Sequence, residues 1–302
     1  TMAAFSACAT LMGGVVTEWL SWRLTVVLPV LSLLAVPFCL RLATRPGSRK
    51  PVDITGAVLL TVTATALLVL IQAPTLSLSG PVVLTTALVV ALAATALVIR
   101  VRRRPTGFVP KSLATDRTFL LAAAVGVGVY GGLFAAMYAV PQVLVQDYGW
   151  SVLTVGLALL PGAVLGAVLS RAAGRLTAGS GGSRLLAATA ASSAVLLVSA
   201  GVYGGGAVLL VAGASLGFAA FAVTQVVTTG LMSGRIPPAR RGGAMGLLNL
   251  TFFTGGAIGS AAAGALSKSM AMTSALGLVA VLPLIAGALA LWLTGKGARQ
   301  PS

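Results

Sequence analysis

The sequence predicts an all-α, polytopic integral membrane protein of about ten helices, and three observations carry that expectation. Apolar residues make up 58% of the 302-residue chain and charged residues only 8%, whereas a soluble domain uses roughly 25% charged residues to cover its surface. Mean hydropathy is +1.04. Ten apolar stretches follow one another at 1–17, 24–42, 52–72, 80–100, 118–145, 153–171, 184–204, 206–229, 243–266 and 272–294. A crossing helix needs about 20 residues, so all but the first are long enough to span.

The first stretch starts at Thr1 with no basic flank, which makes it a poor signal peptide and a better tail of a helix. Residues 52–100 form an isolated hairpin of Leu, Val, Ala and Thr, with an uncharged outer turn at 73–80. Basic stretches at 43–51 and 100–117 set it apart from what precedes and follows. Six spans with short loops come after Arg117. As two groups of three they would form inverted repeats of the transporter kind, although no internal sequence match accompanies the count.

The basic residues test this map. Of 20 Lys and Arg, 18 fall in alternate connections and the tail, leaving only Arg23 and Lys268 opposite. That asymmetry is the positive-inside rule, and it places the basic loops and the C-terminus in the cytoplasm. Short loops facing anionic lipid therefore account for the +16 charge. There is no soluble module or aromatic interleaving to indicate nucleic-acid binding. Trp19, Trp22, Tyr148, Trp150 and Trp292 lie at span ends, as interfacial belts require.

Much chemistry is excluded. The chain has no histidine and four acids, Glu18, Asp53, Asp116 and Asp147. No Ser-His-Asp triad, zinc helix or magnesium-holding carboxylate cluster can be built from them. An enzyme, a metal site and a cofactor are not expected. Cys8 and Cys39 sit in apolar runs and read as buried inert thiols. The GxGxxG at Gly126–Gly131 and the GxSxG at Gly213–Gly217 are chance matches inside spans, as is the sequon at Asn249. Gly162 and Gly166, Gly213 and Gly217, and Gly255 and Gly259 instead make small-xxx-small pairs. Such pairs let helices approach closely and also slide.

Polar and aromatic residues within spans are the substrate-path candidates. Tyr130, Phe134, Tyr138 and Gln142 recur every four residues and share one helix face. Thr224 and Gln225 lie in the eighth span, with Asn249 and Phe253 in the ninth. Helix–helix hydrogen bonding is the competing role for Gln142, Gln225 and Asn249. Scattered aromatics in an apolar, uncharged surround suit a small hydrophobic substrate.

Three motifs then carry a resemblance. The first is Gly13-Gly14-Val-Val-Thr-Glu18-Trp19-Leu-Ser-Trp22-Arg23. The second is Gln146-Asp147-Tyr148-Gly149-Trp150-Ser151 running into Val155–Gly162. The third is Arg240-Arg241-Gly242-Gly243-Ala-Met-Gly246 leading to Asn249 and Gly255–Gly259. Together they resemble the fourteen-helix drug:proton antiporters of the major facilitator superfamily, exporters of drugs and antibiotics. The segment Gly174-Arg175 to Arg184 resembles a cytoplasmic gating loop, without the Asp that the family often carries near Thr177. The Gly-Pro of the antiporter signature is likewise absent, its place held by Ala9–Met12.

The resemblance implies that this chain is helices five to fourteen. Residues 1–42 would end the N-terminal bundle, 43–117 would be linkers with the inserted hairpin, and 118–302 would form the C-terminal six-helix bundle and tail. Gly13, Gly14, Gly162, Gly166, Gly174, Arg175, Gly255 and Gly259 would serve packing and gating. Partners would be the lipid bilayer, a hydrophobic substrate and protons. Proton antiport requires a membrane-embedded carboxylate, and all four acids here fall at helix ends or in loops. By the resemblance, the coupling acid would lie on four preceding helices. The rival expectations are a transporter of another solute, such as a sugar, and a non-transporting scaffold or remnant. Composition rich in Ala, Gly, Val and Arg suggests a bacterium.

Overall fold

The computed structural model describes residues 12, 13, 15, 16, 19, 21–42, 53–176 and 180–294. Cys8, Gly14, Glu18, Thr177 and the tail beyond Thr294 lie outside them. Every regular element described is helical: α1 (Trp22–Val27), a 3₁₀ segment (Leu28–Ala35), α2 (Val36–Leu42), α3 (Ile54–Ile71), α4 (Gly80–Arg103) and a short α5 (Lys111–Ala114). These are followed by α6 (Arg117–Gln146), α7 (Val152–Leu176), α8 (Gly181–Val202), α9 (Ala207–Arg235), α10 (Pro238–Leu266), α11 (Met272–Val279) and α12 (Val281–Thr294). Among the described residues, seven helical stretches are long and apolar enough to cross a membrane, with α11 and α12 counted together. This is a multi-pass membrane fold. Helix α10 has the length, at 29 residues, but its glycines, threonines and Asn249 dilute its apolar character, and it is not among the seven.

Two expected spans are interrupted, each at a proline. The stretch expected at 24–42 is broken by the 3₁₀ segment, which carries Pro29 in its first turn. A proline nitrogen has no proton for the helical ladder. The 272–294 span breaks at Ala280, where Pro283 cannot donate to the carbonyl of Val279 four residues earlier. The Pro283 ring then lies on Gly132 of α6, where a Cβ would stand 2.5 Å from Pro283 Cγ. Cys39, expected to be buried, is exposed on the open flank of α2. Leu33, Leu34, Phe38 and Leu40 are exposed with it. Its apolar run faces outward rather than into a packed core.

Helices α6 and α9 form the centre of a six-helix bundle. Helix α6 packs against α9, α10, α11 and α12, while α9 packs against α7 and α8, and α12 also meets α8. Burial follows this order: 72% of the most apolar window of α6 is enclosed, against 11% for α3 and 6% for α4. The hairpin is thus an outrigger, its own two helices packed together and α3 resting on α10.

Glycine allows the closest approaches. A Cβ on Gly162 of α7 would stand 2.6 Å from Ser215 Cα of α9, and one on Gly255 of α10 would stand 2.5 Å from Val127 Cα of α6. A Cβ on Gly259 would collide with the Gly131 carbonyl. A buried hydroxyl adds a polar tie, Ser193 Oγ of α8 donating to the Gly213 carbonyl of α9 at 2.7 Å.

The two ends of the bundle differ. At the basic end Arg235 Nη1 donates to Thr118 Oγ1 at 3.0 Å, joining the end of α9 to the start of α6. Asp116 caps α6 there, accepting the Phe119 N–H at 2.7 Å. At the opposite end Gly204, Gly205 and Gly206 all adopt positive φ (75°, 135° and 105°), a turn only glycine makes without strain. The Gly206 N–H donates to the Tyr148 hydroxyl at 2.7 Å, so this belt residue also fastens two loops.

Candidate functional site

The stripe on α6 is where the polar and aromatic candidates converge. Tyr130 is wholly buried, and four rings surround it. Phe134 stacks on it at 6.2 Å, and Phe221 and Phe252 tilt against it at 4.7 and 5.0 Å. Phe253 meets it edge-on at 5.5 Å and meets Phe134 edge-on at 6.1 Å. Offset and edge-to-face pairs at these separations are the favoured ones for aromatic quadrupoles. The rings come from three helices, α6, α9 and α10.

One helical turn away, Gln225 Nε2 of α9 donates to Asn249 Oδ1 of α10 at 3.0 Å. Both amides are half-buried, and Phe253 is half-exposed beside them. The cluster therefore has a packed floor, Tyr130 and Phe252, and an open rim of Phe134, Phe221, Phe253 and the amide pair. Within the floor, the Tyr130 hydroxyl is buried and makes no well-aligned hydrogen bond, although the Gln225 side chain lies close enough to interact with it. Such a group costs about 1–3 kcal/mol of lost hydration.

Other candidates are placed elsewhere. Tyr138 is part-exposed, its ring against Gly264 of α10, and Gln142 is half-buried further along α6. Thr224 is wholly buried with its hydroxyl donating to the Ala220 carbonyl of its own helix at 2.7 Å, away from the open rim. Gly166 lies against the Phe218 carbonyl, whereas Gly174 and Arg175 are exposed at the basic end of α7, and Gly13 is half-buried. Phe221 and Phe252 were not singled out by sequence. Phe221 precedes Gln225 by four residues and Phe252 follows Asn249 by three, so helical spacing from the amides was the available signal.

The described acids stand apart from this face. Asp53 caps α3, Asp116 caps α6, and Asp147 follows the last turn of α6. A second open region, an apolar groove of about 470 Å³ between α7 and α9, is lined by Trp150, Pro161, Val208 and Leu216 among others and has almost no polar surface.

A multi-pass helical bundle with an uncharged aromatic and amide face among its central helices has the architecture of a membrane transporter. The sequence profile described as Major Facilitator Superfamily matches residues 122–302. The chain belongs to that superfamily, whose members are transporters rather than enzymes. No curated protein matches the chain.

Proposed function

We propose that this chain is the greater part of an exporter of hydrophobic drugs or antibiotics in a bacterial cell membrane, with its C-terminus in the cytoplasm. It works by rocking two helix bundles about a midplane cavity, and the rim of Phe134, Phe221, Phe253, Gln225 and Asn249 forms part of the cavity wall. One observation carries this reading: the rim joins aromatic rings to neutral amides and no charge. Such a wall binds through ring stacking and a few hydrogen bonds. The buried Tyr130 hydroxyl lies beneath it, beside the Gln225 side chain.

Proton coupling is the further part of the proposal. It needs a carboxylate within the membrane whose protonation competes with substrate. The described acids all cap or follow helices, and in this proposal the coupling acid lies on the four helices that the resemblance sets before Thr1. The reading frame upstream of Thr1 tests this part. Apolar segments with an embedded Asp or Glu are expected, and their absence removes proton antiport from the proposal.

The binding claim is tested on the purified 302-residue chain in lipid nanodiscs. N-phenyl-1-naphthylamine, a neutral aromatic fluorophore, should bind saturably, and Phe253→Ala should weaken it about ten-fold, equivalent to about 1.4 kcal/mol. Comparing the two chains cancels partition of the probe into lipid. Saturable binding of a radiolabelled monosaccharide, with none of the fluorophore, would favour a sugar transporter instead.

A further inference from the structure

The inserted hairpin packs along little of its length, yet one part-buried carboxylate ties its base to the chain on both sides. Asp53, 11% exposed, faces Arg100 of α4, 24% exposed, in the one ion pair among the described residues. Asp53 Oδ1 accepts from Arg100 Nε at 3.0 Å and from Arg100 Nη2, and also from the Gly56 N–H at 3.1 Å. Asp53 Oδ2 accepts from the Phe108 N–H at 3.1 Å. The first turn of α3, the last turn of α4 and the linker beyond are thus gathered on one side chain.

The site is shaped for that carboxylate. A Cβ at Gly56 would stand 2.5 Å from Asp53 Oδ2, and one at Gly107 would stand 2.6 Å from it. Both positions need the absence of a side chain if the carboxylate is to sit there. The linker is folded rather than loose: Gly107 N–H donates to the Arg104 carbonyl, and Lys111 N–H donates to the Pro105 carbonyl, each at 3.0 Å. It is anchored at its far end too. Leu113 packs against the core cluster that contains Phe119, Met232 and Ile236. The hairpin is therefore joined to the bundle through Asp53 to Phe108, then along the hydrogen-bonded linker backbone to Leu113, which packs on the bundle. The packing of α3 on α10 closes a second path.

We propose that Asp53 is a clasp that makes the hairpin, the linker 104–116 and the C-terminal bundle one rigid body. During transport the hairpin travels with that bundle. It is not a free element sliding between the two halves. The clasp rests on the transporter reading only for what the motion accomplishes, since rigidity itself is measurable without substrate.

The test is a pair of spin labels on the full chain in nanodiscs, with Cys8 and Cys39 replaced by Ser. Leu76→Cys at the hairpin tip and Ser269→Cys in the bundle loop carry the labels. Pulsed dipolar spectroscopy should give one narrow distance distribution, unchanged by N-phenyl-1-naphthylamine. Asp53→Asn and Arg100→Gln should each widen it at least two-fold. Gly107→Ala keeps every charge but pushes on the carboxylate, and it should widen the distribution too. A broad or two-peaked distribution in the parent chain overturns the proposal, as does an unchanged narrow one in all three variants. Loss of fluorophore binding with the narrow distribution intact would count against the substrate reading and leave the clasp standing.

Discussion

Tyr130 is a residue whose energetics separate two roles. An unpaired buried hydroxyl is a liability in a purely structural core, so Tyr130→Phe should raise the unfolding temperature of the purified chain. If the hydroxyl oxygen also accepts from the probe's N–H, the same variant should bind N-phenyl-1-naphthylamine roughly five-fold more weakly, equivalent to about 1 kcal/mol. A higher unfolding temperature with unchanged binding would make Tyr130 packing alone. The Gln225–Asn249 pair is a second residue-scale case. A double-mutant cycle with Leu at both sites should give a coupling of about 0.6 kcal/mol, the usual size for such bonds in membranes. The two amides were legible as polar residues in apolar spans, but their partnership was not, because single-helix spacing says nothing about which helix faces which. Phe252 escaped for the same reason: its ring sits on Gly126, a contact across helices.

Helix limits were legible where charge and apolar length agreed. The span expected at 118–145 is α6 at 117–146, and the hairpin helices differ from expectation by at most three residues at any end. The expectation failed where a proline rearranges hydrogen bonds within an apolar run, as at Leu28–Ala35 and at Ala280. Gly162 with Gly166 faces α9, and Gly255 with Gly259 faces α6. Gly259→Ala should therefore cost about 1–3 kcal/mol by forcing α10 off α6, read as a lower unfolding temperature. At the hairpin base the sequence placed Asp53 only among acids at helix ends or in loops, and the structure adds Arg100, which holds its carboxyl well below the usual aspartate range, with the Phe108 N–H next in effect. A depressed folded value means the contribution is complete above the unfolded value, about 3.9, and is lost as pH falls through the folded one. The hairpin-to-bundle distance distribution should thus be the same at pH 8 and pH 5. Widening between those values would contradict the assignment.

At the scale of the whole molecule, a buried centre of α6 and α9 carries a partly open face on one flank and an outrigger hairpin fastened at its base. Membership of the superfamily agrees with what the three motifs resembled, and the multi-pass helical fold agrees with what composition anticipated. Substrate recognition depends on which surface a ligand contacts, and photolabelling reads this directly. A neutral aromatic diazirine would be cross-linked to the purified chain in nanodiscs, with and without excess N-phenyl-1-naphthylamine, and the adducts mapped by mass spectrometry. Transport from the aromatic face predicts competed adducts on the segments Tyr130–Tyr138, Phe221–Gln225 and Asn249–Phe253. Adducts confined to the hairpin helices or to the groove between α7 and α9, with none on those three segments, would contradict it.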